Sequence, residues 1–93
     1  PLKREANEQV WHQYIVRVAN RDKFRKYLSD NGVETAIHYP TPPHKQPCYK
    51  QYAHLHLPIA EKIANEVVSL PITRCTTPVE AHEIVQIINQ YIP

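Results

Sequence analysis

Apolar and polar positions alternate with a period of two near the start of the chain. Residues 10–18 (VWHQYIVRV) are rich in Val, Ile, Tyr and Trp. In an extended segment successive side chains point to opposite sides, so Val16 falls on one side and Arg17 on the other. Such alternation among β-branched and aromatic residues is typical of a half-buried strand. The segment therefore predicts the first strand, and residues 1–9 before it predict the end of a connector helix with little apolar face.

A helical period follows this strand. Phe24, Tyr27 and Leu28 recur at the spacing of one helix face. Asn20 stands where an N-cap is favoured, and Gly32 stands just past the last periodic residue, where a left-handed conformation is common. These signals predict a helix between Asn20 and Gly32.

The middle of the chain is punctuated by proline. Residues 33–39 predict a second strand, and residues 40–47 hold four prolines without apolar periodicity, which predicts an ordered, extended loop. Residues 46–52 predict a short helical turn. A helix is predicted from Pro58, and residues 67–70 predict a third short strand.

The last element begins with a recognisable signature. Thr77-Pro78-Val79-Glu80 combines a capping box with proline at the first helical position. The buried face of the helix that follows is predicted to hold Ala81, Ile84, Val85, Ile88 and Tyr91. Strands and helices alternate, so the predicted fold class is α/β (α+β), a small three-stranded sheet covered by helices.

Composition limits the chain to one small globular domain. It has 93 residues, of which 42% are hydrophobic and 22% charged. The net charge is +2, divided into +4 for residues 1–50 and −2 for residues 51–93, which gives no basic stripe for nucleic acid. No apolar run approaches the roughly 20 residues of a membrane span, so we expect neither a nucleic-acid nor a membrane partner.

Three residue counts narrow the function further. The single glycine excludes glycine-rich phosphate loops, and with them a whole nucleotide- or cofactor-binding enzyme. Cys48 and Cys75 are too few for a disulfide scaffold and predict free thiols in a reducing compartment, the cytoplasm. Because the chain begins at Pro1 and contains no Met, we expect it to be a piece of a longer protein.

The candidate chemistry lies in the proline-rich loop. Proline fixes the backbone, so the segment from His38 to Tyr49 can hold His, Tyr and Gln side chains in set directions for a polar ligand. Alternatively, the prolines only stiffen a connection between strand and helix. Other interpretations are weaker: the spacing of His44, Cys48, His54 and His56 matches zinc sites poorly, and nothing orients a base in the Cys48–His44 or Cys75–His82 pairs. We therefore predict no metal site and no catalytic residue.

Four segments resemble a known family. They are residues 10–18, Arg21-Asp22 through Gly32-Val33-Glu34-Thr35, Ile37-His38-Tyr39-Pro40 through Gln46-Pro47-Cys48-Tyr49, and Ser69-Leu70-Pro71 with Thr77 and Glu80. Over residues 10–92 the chain resembles the small C-terminal domain of the DegT/DnrJ/EryC1/StrS sugar-nucleotide aminotransferases, which are fold-type I pyridoxal-phosphate enzymes. The resemblance implies this small domain over residues 10–93, which follows the connector predicted for residues 1–9.

The resemblance also implies a function for the full-length enzyme, which we expect to be a cytoplasmic homodimer. An amino group would pass from glutamate to a keto-sugar nucleotide, in amino-sugar biosynthesis for surface polysaccharide or related glycans. The large N-terminal domain would supply the cofactor lysine and phosphate site, so this chain alone would bind no pyridoxal phosphate and be inactive. The rival interpretation is a stand-alone α/β module that binds a ligand or partner without catalysis.

The same resemblance assigns substrate-binding residues within this chain. It implies that His38 and Tyr39 lie nearest the active site, and that His44 and Gln46 support the loop or touch the nucleotide. The remaining two predicted substrate-binding residues, which would back this wall from the first strand, are His12 and Tyr14.

Overall fold

A computed structural model describes residues 11–93 of the chain. Its elements are β1 (Tyr14–Arg17), α1 (Arg21–Asp30), two 3-10 turns (Pro43–Lys45 and Pro47–Tyr52), α2 (Pro58–Glu66), β2 (Val67–Leu70) and α3 (Pro78–Asn89). The mixture confirms the predicted α/β class. The connector helix predicted over residues 1–9 lies outside the described residues.

The two strands pair antiparallel, with Tyr14 opposite Leu70 and Arg17 opposite Val67. Burial alternates along β1, as the period of two predicts. At the end of the ladder the Arg17 guanidinium lies 2.6 Å from the Glu66 carboxylate, and the backbone N–H of Val18 donates to the Glu66 carbonyl at 2.9 Å. The first strand is thereby fastened to the junction of α2 and β2.

The predicted three-stranded sheet is wrong in detail, because the strand expected over residues 33–39 is reduced to one bridge. Ala36 pairs with Ser69 of β2 through two backbone hydrogen bonds of 3.1 and 2.8 Å. Beside it, the Arg25 side chain binds both the hydroxyl and the carbonyl of Thr35, at 3.0 and 3.1 Å. The next hydrogen-bonded position of an antiparallel ladder would pair Glu34 with Pro71, and because proline has no N–H to donate, the ladder stops at Ala36 on that side.

The core lies between α1, the sheet and α3. Phe24, Leu28, Val33 and Val68 form its buried cluster. The ring of Tyr91, just past α3, meets the ring of Phe24 edge to face at a centroid distance of 5.0 Å.

Helix α3 packs on this core with a narrower face than expected. Ile84, Ile87 and Ile88 contact the core cluster, as predicted for Ile84 and Ile88. Ala81 and Val85, which were predicted to be buried, are exposed. The described residues place only one side of α3 against the sheet, so these two positions face an open groove instead.

The helix ends follow the sequence signals with one exception. Thr77 and Glu80 form both hydrogen bonds of the predicted capping box, at 3.2 and 2.9 Å. Gly32 adopts φ +79° after α1, a conformation that favours glycine. Asn20 stands at the N-cap of α1, as predicted, but its side chain makes no capping bond.

Candidate functional site

The proline-rich segment is an ordered loop built from the two 3-10 turns. Each turn starts with proline, where a missing N–H costs nothing. In the first turn the N–H of Lys45 donates to the Pro42 carbonyl at 2.9 Å. The Gln46 amide then donates to the Thr41 carbonyl at 2.9 Å, which closes the loop on itself.

One side of this loop lines a cleft of about 640 Å³, called here the loop cleft. His38, Tyr39 and Gln46 lie on it together, so three of the predicted site residues share one surface. The rest of the lining is mostly apolar and comes from the loop, α2 and the start of β2: Thr41, Pro42, Pro43, Tyr49, Ala60, Ile63, Ala64 and Val67. An apolar wall with a few polar groups is the usual form of a small-molecule site.

His38 and Tyr39 occupy different environments at the edge of this cleft. The Nδ1 atom of His38 lies 2.8 Å from the hydroxyl of Ser69, which is only 5% exposed on β2. Tyr39 is 68% exposed, with its ring edge-on to the His38 imidazole at 5.3 Å, and the peptide bond between the two residues is cis. His38 is thus anchored to the sheet, whereas Tyr39 presents its ring to solvent and cleft.

His44 points away from the loop cleft, toward α2. It is 6% exposed, and its Nε2 lies 2.9 Å from Oε1 of Glu61. The same carboxylate oxygen accepts the backbone N–H of Leu57 at 3.1 Å, and Oε2 lies 3.2 Å from Nδ1 of the exposed His56. The hydrogen bond from His44 is the main cause that lowers the pKa of Glu61, and the Leu57 N–H adds to it. Because Glu61 is therefore ionised at neutral pH and can only accept, His44 Nε2 carries a proton.

The two site residues predicted on the first strand lie on other surfaces. His12 lines a second cleft of about 470 Å³ with His38 and Ser69, so it meets the loop cleft only through His38. Tyr14 lines an apolar groove of about 470 Å³ between the sheet and α3, called here the α3 groove. Its ring packs against Trp11 at a centroid distance of 4.9 Å.

The side chains of residues 11–93 do not fit the implied cofactor. All five lysines in this range are exposed, whereas a cofactor lysine needs a walled site. Within the same range no group of three or more His, Cys, Asp and Glu residues can hold a metal ion. Cys48 and Cys75 are free and exposed, and the His82 Nε2 atom pairs with Gln86 at 3.1 Å.

Sequence reasoning overlooked Glu61 and gave Ser69 no role. Glu61 is 17 residues from His44, and no periodic pattern connects the two. Its only signal is an acid in the first turn of a helix, which is common for electrostatic reasons alone. Ser69 stood in one of the family-like segments, but its hydroxyl could not be connected with His38 before β2 was placed.

Comparison with known proteins gives a consistent result. The sequence model of the DegT/DnrJ/EryC1/StrS aminotransferase family matches residues 1–89. The dTDP-3-amino-3,6-dideoxy-alpha-D-galactopyranose transaminase of Aneurinibacillus thermoaerophilus is 41% identical over 91 residues, which are 98% of this chain and 25% of that protein. The erythromycin biosynthesis sensory transduction protein EryC1 of Saccharopolyspora erythraea is 47% identical over 70% of this chain and 18% of its own length.

Solved structures agree in fold. DesV of S. venezuelae, in complex with a ketimine intermediate, superposes with a TM-score of 0.83 at 32% identity, over 100% of this chain and 26% of that one. An aminotransferase from Brucella abortus superposes with a TM-score of 0.75 at 31% identity, over 85% of this chain and 22% of that one. The chain thus spans about a quarter of the length of these relatives.

Across the described residues, no helix combines the length and apolar character that crossing a membrane requires.

Proposed function

Because the chain belongs to the DegT/DnrJ/EryC1/StrS aminotransferase family, we propose that residues 10–93 act as the small C-terminal domain of a sugar-nucleotide aminotransferase. The complete enzyme transfers an amino group from glutamate to the ketone of a nucleotide-linked sugar. Relatives named for dTDP-linked and UDP-linked sugars support a sugar-nucleotide substrate.

The observation that carries this proposal is the loop cleft. It gathers His38, Tyr39 and Gln46 on a mostly apolar wall, which suits a ligand with both rings and hydroxyl groups. In the proposed role, His38 and Tyr39 contact the sugar nucleotide directly. Gln46 and His44 hold the loop in place, while His12 and Tyr14 support neighbouring surfaces.

The cofactor is proposed to be pyridoxal phosphate, held by the large N-terminal domain. When bound, it supplies the electron sink that amino transfer requires. This chain's contribution is shape, hydrogen bonding and exclusion of water beside the reacting sugar. The 93-residue chain by itself is therefore proposed to be inactive.

Exposed apolar surface supports a large partner domain within the same polypeptide. Among the described residues, thirteen large hydrophobic side chains are exposed, whereas six hydrophobic residues form the core. Four of the exposed residues line one small pocket beside the loop, and contiguous apolar patches normally mark contact surfaces: Tyr49, Tyr52, Leu55 and Leu57. We further propose that the complete enzyme is a cytoplasmic homodimer that serves the synthesis of polysaccharides or related glycans.

The experiment compares two polypeptides under the same conditions. One is the 93-residue chain, and the other is the longer polypeptide that contains it, both supplied with pyridoxal phosphate, glutamate and a dTDP- or UDP-linked keto sugar. Glutamate-dependent amino transfer is expected only from the longer polypeptide. Transfer by the 93-residue chain would contradict the division of labour, and nucleotide binding without any transfer by the longer one would favour the rival binding module.

A further inference from the structure

Glu61 connects the back of the loop to the start of α2. Its Oε1 atom accepts both from the buried His44 ring at 2.9 Å and from the Leu57 N–H at 3.1 Å. One oxygen thus joins the first 3-10 turn to the N-terminus of a helix. The other oxygen faces His56, whose side chain is 78% exposed.

The turn that His44 occupies is stiff. It lies between Pro42 and Gln46, and both of its ends are closed by backbone hydrogen bonds, of 2.9 and 3.1 Å. The Gln46 amide ties the turn to Thr41 as well. A stiff turn transmits displacement, so a shift of the His44 ring moves the neighbouring residues with it.

Those neighbouring residues form the wall of the loop cleft. Thr41, Pro42, Pro43 and Gln46 all line it, whereas His44 lies behind them. Pro43, Tyr49 and Ala60 also line a smaller apolar pocket of about 440 Å³, which His44 lines as well, so these three residues lie between the two cavities. The position of this wall therefore depends on what holds His44.

We propose that Glu61 is a positioning residue for the sugar nucleotide: through His44 it sets the distance between the Pro43–Lys45 turn and α2, and so the width of the loop cleft. The inference rests on the proposed function and adds to it a residue that does not itself line the cleft. Glu61 acts on substrate binding through the loop, and it takes no part in the glutamate half of the reaction.

The test uses the longer polypeptide that contains this chain, with variants Glu61→Ala and Glu61→Gln and the control His56→Ala. Hydrogen–deuterium exchange of residues 41–52 reports the loop, and steady-state kinetics report both substrates. Glu61→Ala is expected to speed exchange in the loop and raise KM for the sugar nucleotide about tenfold, with kcat changed less than about twofold. KM for glutamate should stay unchanged.

The Gln and His variants separate positioning from charge. In Glu61→Gln the side-chain amide oxygen can still accept from His44 and Leu57, so this variant is expected to stay close to the wild type in loop exchange and KM. His56→Ala removes the contact to the other oxygen and should behave like the wild type. If Glu61→Ala does not fold, Glu61→Asp replaces it, because a side chain one methylene shorter keeps the charge but misses His44.

The outcomes distinguish this inference from the proposed function. Loop exchange at the wild-type rate in Glu61→Ala, or a Glu61→Gln variant as impaired as Glu61→Ala, overturns the positioning role. An equal rise of KM for glutamate overturns it too. If the wild-type polypeptide transfers no amino group at all, the proposed function fails, and the exchange rates alone decide whether Glu61 holds the loop.

Discussion

At the scale of single residues, His38 and Tyr39 are neighbours, but only the His38 side chain is bonded to the sheet. His38 is bonded to the hydroxyl of Ser69, which is 5% exposed, whereas Tyr39 is 68% exposed. A buried hydroxyl that loses its partner carries a desolvation cost, and an exposed ring does not. The family resemblance gave both residues one role, as the residues nearest the active site. The structure gives His38 a second role as a link between loop and sheet.

Tyr39→Ala is therefore expected to change the free energy of unfolding by less than about 0.5 kcal/mol. His38→Ala should cost about 1–3 kcal/mol, because it leaves the Ser69 hydroxyl without a partner. Urea denaturation measures both.

In the longer polypeptide, Tyr39→Ala should still raise KM for the sugar nucleotide, while the control Ile59→Ala, at an exposed site off the cleft, should not. Normal kinetics in Tyr39→Ala would remove this residue from the proposed site.

The Glu61 carboxyl makes the free energy of unfolding depend on pH, and replacing this one residue measures its share. The hydrogen bond from His44, aided by the Leu57 N–H, lowers its pKa below the ordinary value of 4.5. The folded chain therefore keeps this carboxylate ionised at a pH where the unfolded chain has begun to protonate it. Its stabilising contribution is complete above about pH 4.5 and is lost as pH falls through the lowered pKa.

Glu61→Gln removes the titrating carboxyl, so the stability difference between the wild type and this variant should depend on pH. Between about pH 6 and about pH 3, the advantage of the wild type over Glu61→Gln in unfolding free energy should shrink. Urea denaturation at a series of pH values measures it. Glu83→Gln, which replaces an exposed carboxylate on α3, is the control and should show a much weaker trend. A constant difference between wild type and Glu61→Gln would contradict the assigned cause of the shift.

At the scale of elements, α3 depends strongly on its cap. None of its residues is buried, so packing contributes less to it than to α1. Thr77→Ala removes the hydroxyl that accepts the Glu80 N–H at 3.2 Å, and it should cost about 1 kcal/mol. The exposed Val79→Ala in the same turn is the matched control, expected near zero. Urea denaturation compares them, and equal costs would show that the capping bond contributes little.

The elements also show how far the sequence could lead. The capping box, Gly32 and the prolines act through local backbone chemistry, so they placed α1, α2 and α3 correctly. The strand expected over residues 33–39 is reduced to one bridge because its next hydrogen-bonded partner position is Pro71, and a pairing between distant segments has no local signature. The hydrogen bond between His44 and Glu61 could not be predicted either, because the two residues are 17 positions apart and share no local pattern. His38, Tyr39 and Gln46 line one cleft because they lie in or next to one proline-stiffened loop.

At the scale of the whole molecule, the α3 groove is an open apolar surface, and we propose that the remainder of a longer polypeptide packs on it. Tyr14, Val16, Ile84 and Ile88 line it, and Val85 lies on its wall with 51% of its surface exposed. The chain spans only about a quarter of the length of its relatives, so the occupant we expect is the remainder of the same polypeptide. Covering an apolar side chain is worth about 25 cal/mol per Å² removed from water.

Val85→Ser tests this expectation, because its cost in unfolding free energy should differ between the 93-residue chain and the longer polypeptide. In the 93-residue chain the side chain is already half in water, so the change should cost less than about 0.5 kcal/mol. In the longer polypeptide the same change should cost about 1–2 kcal/mol, because a buried apolar contact is replaced by an unpaired hydroxyl. Val79→Ser, on the same helix and 67% exposed but off the groove, should be small in both. Urea denaturation of the four variant proteins against their parents measures the differences. Equal costs of Val85→Ser in the short and long polypeptides would mean that the groove stays open in the complete protein.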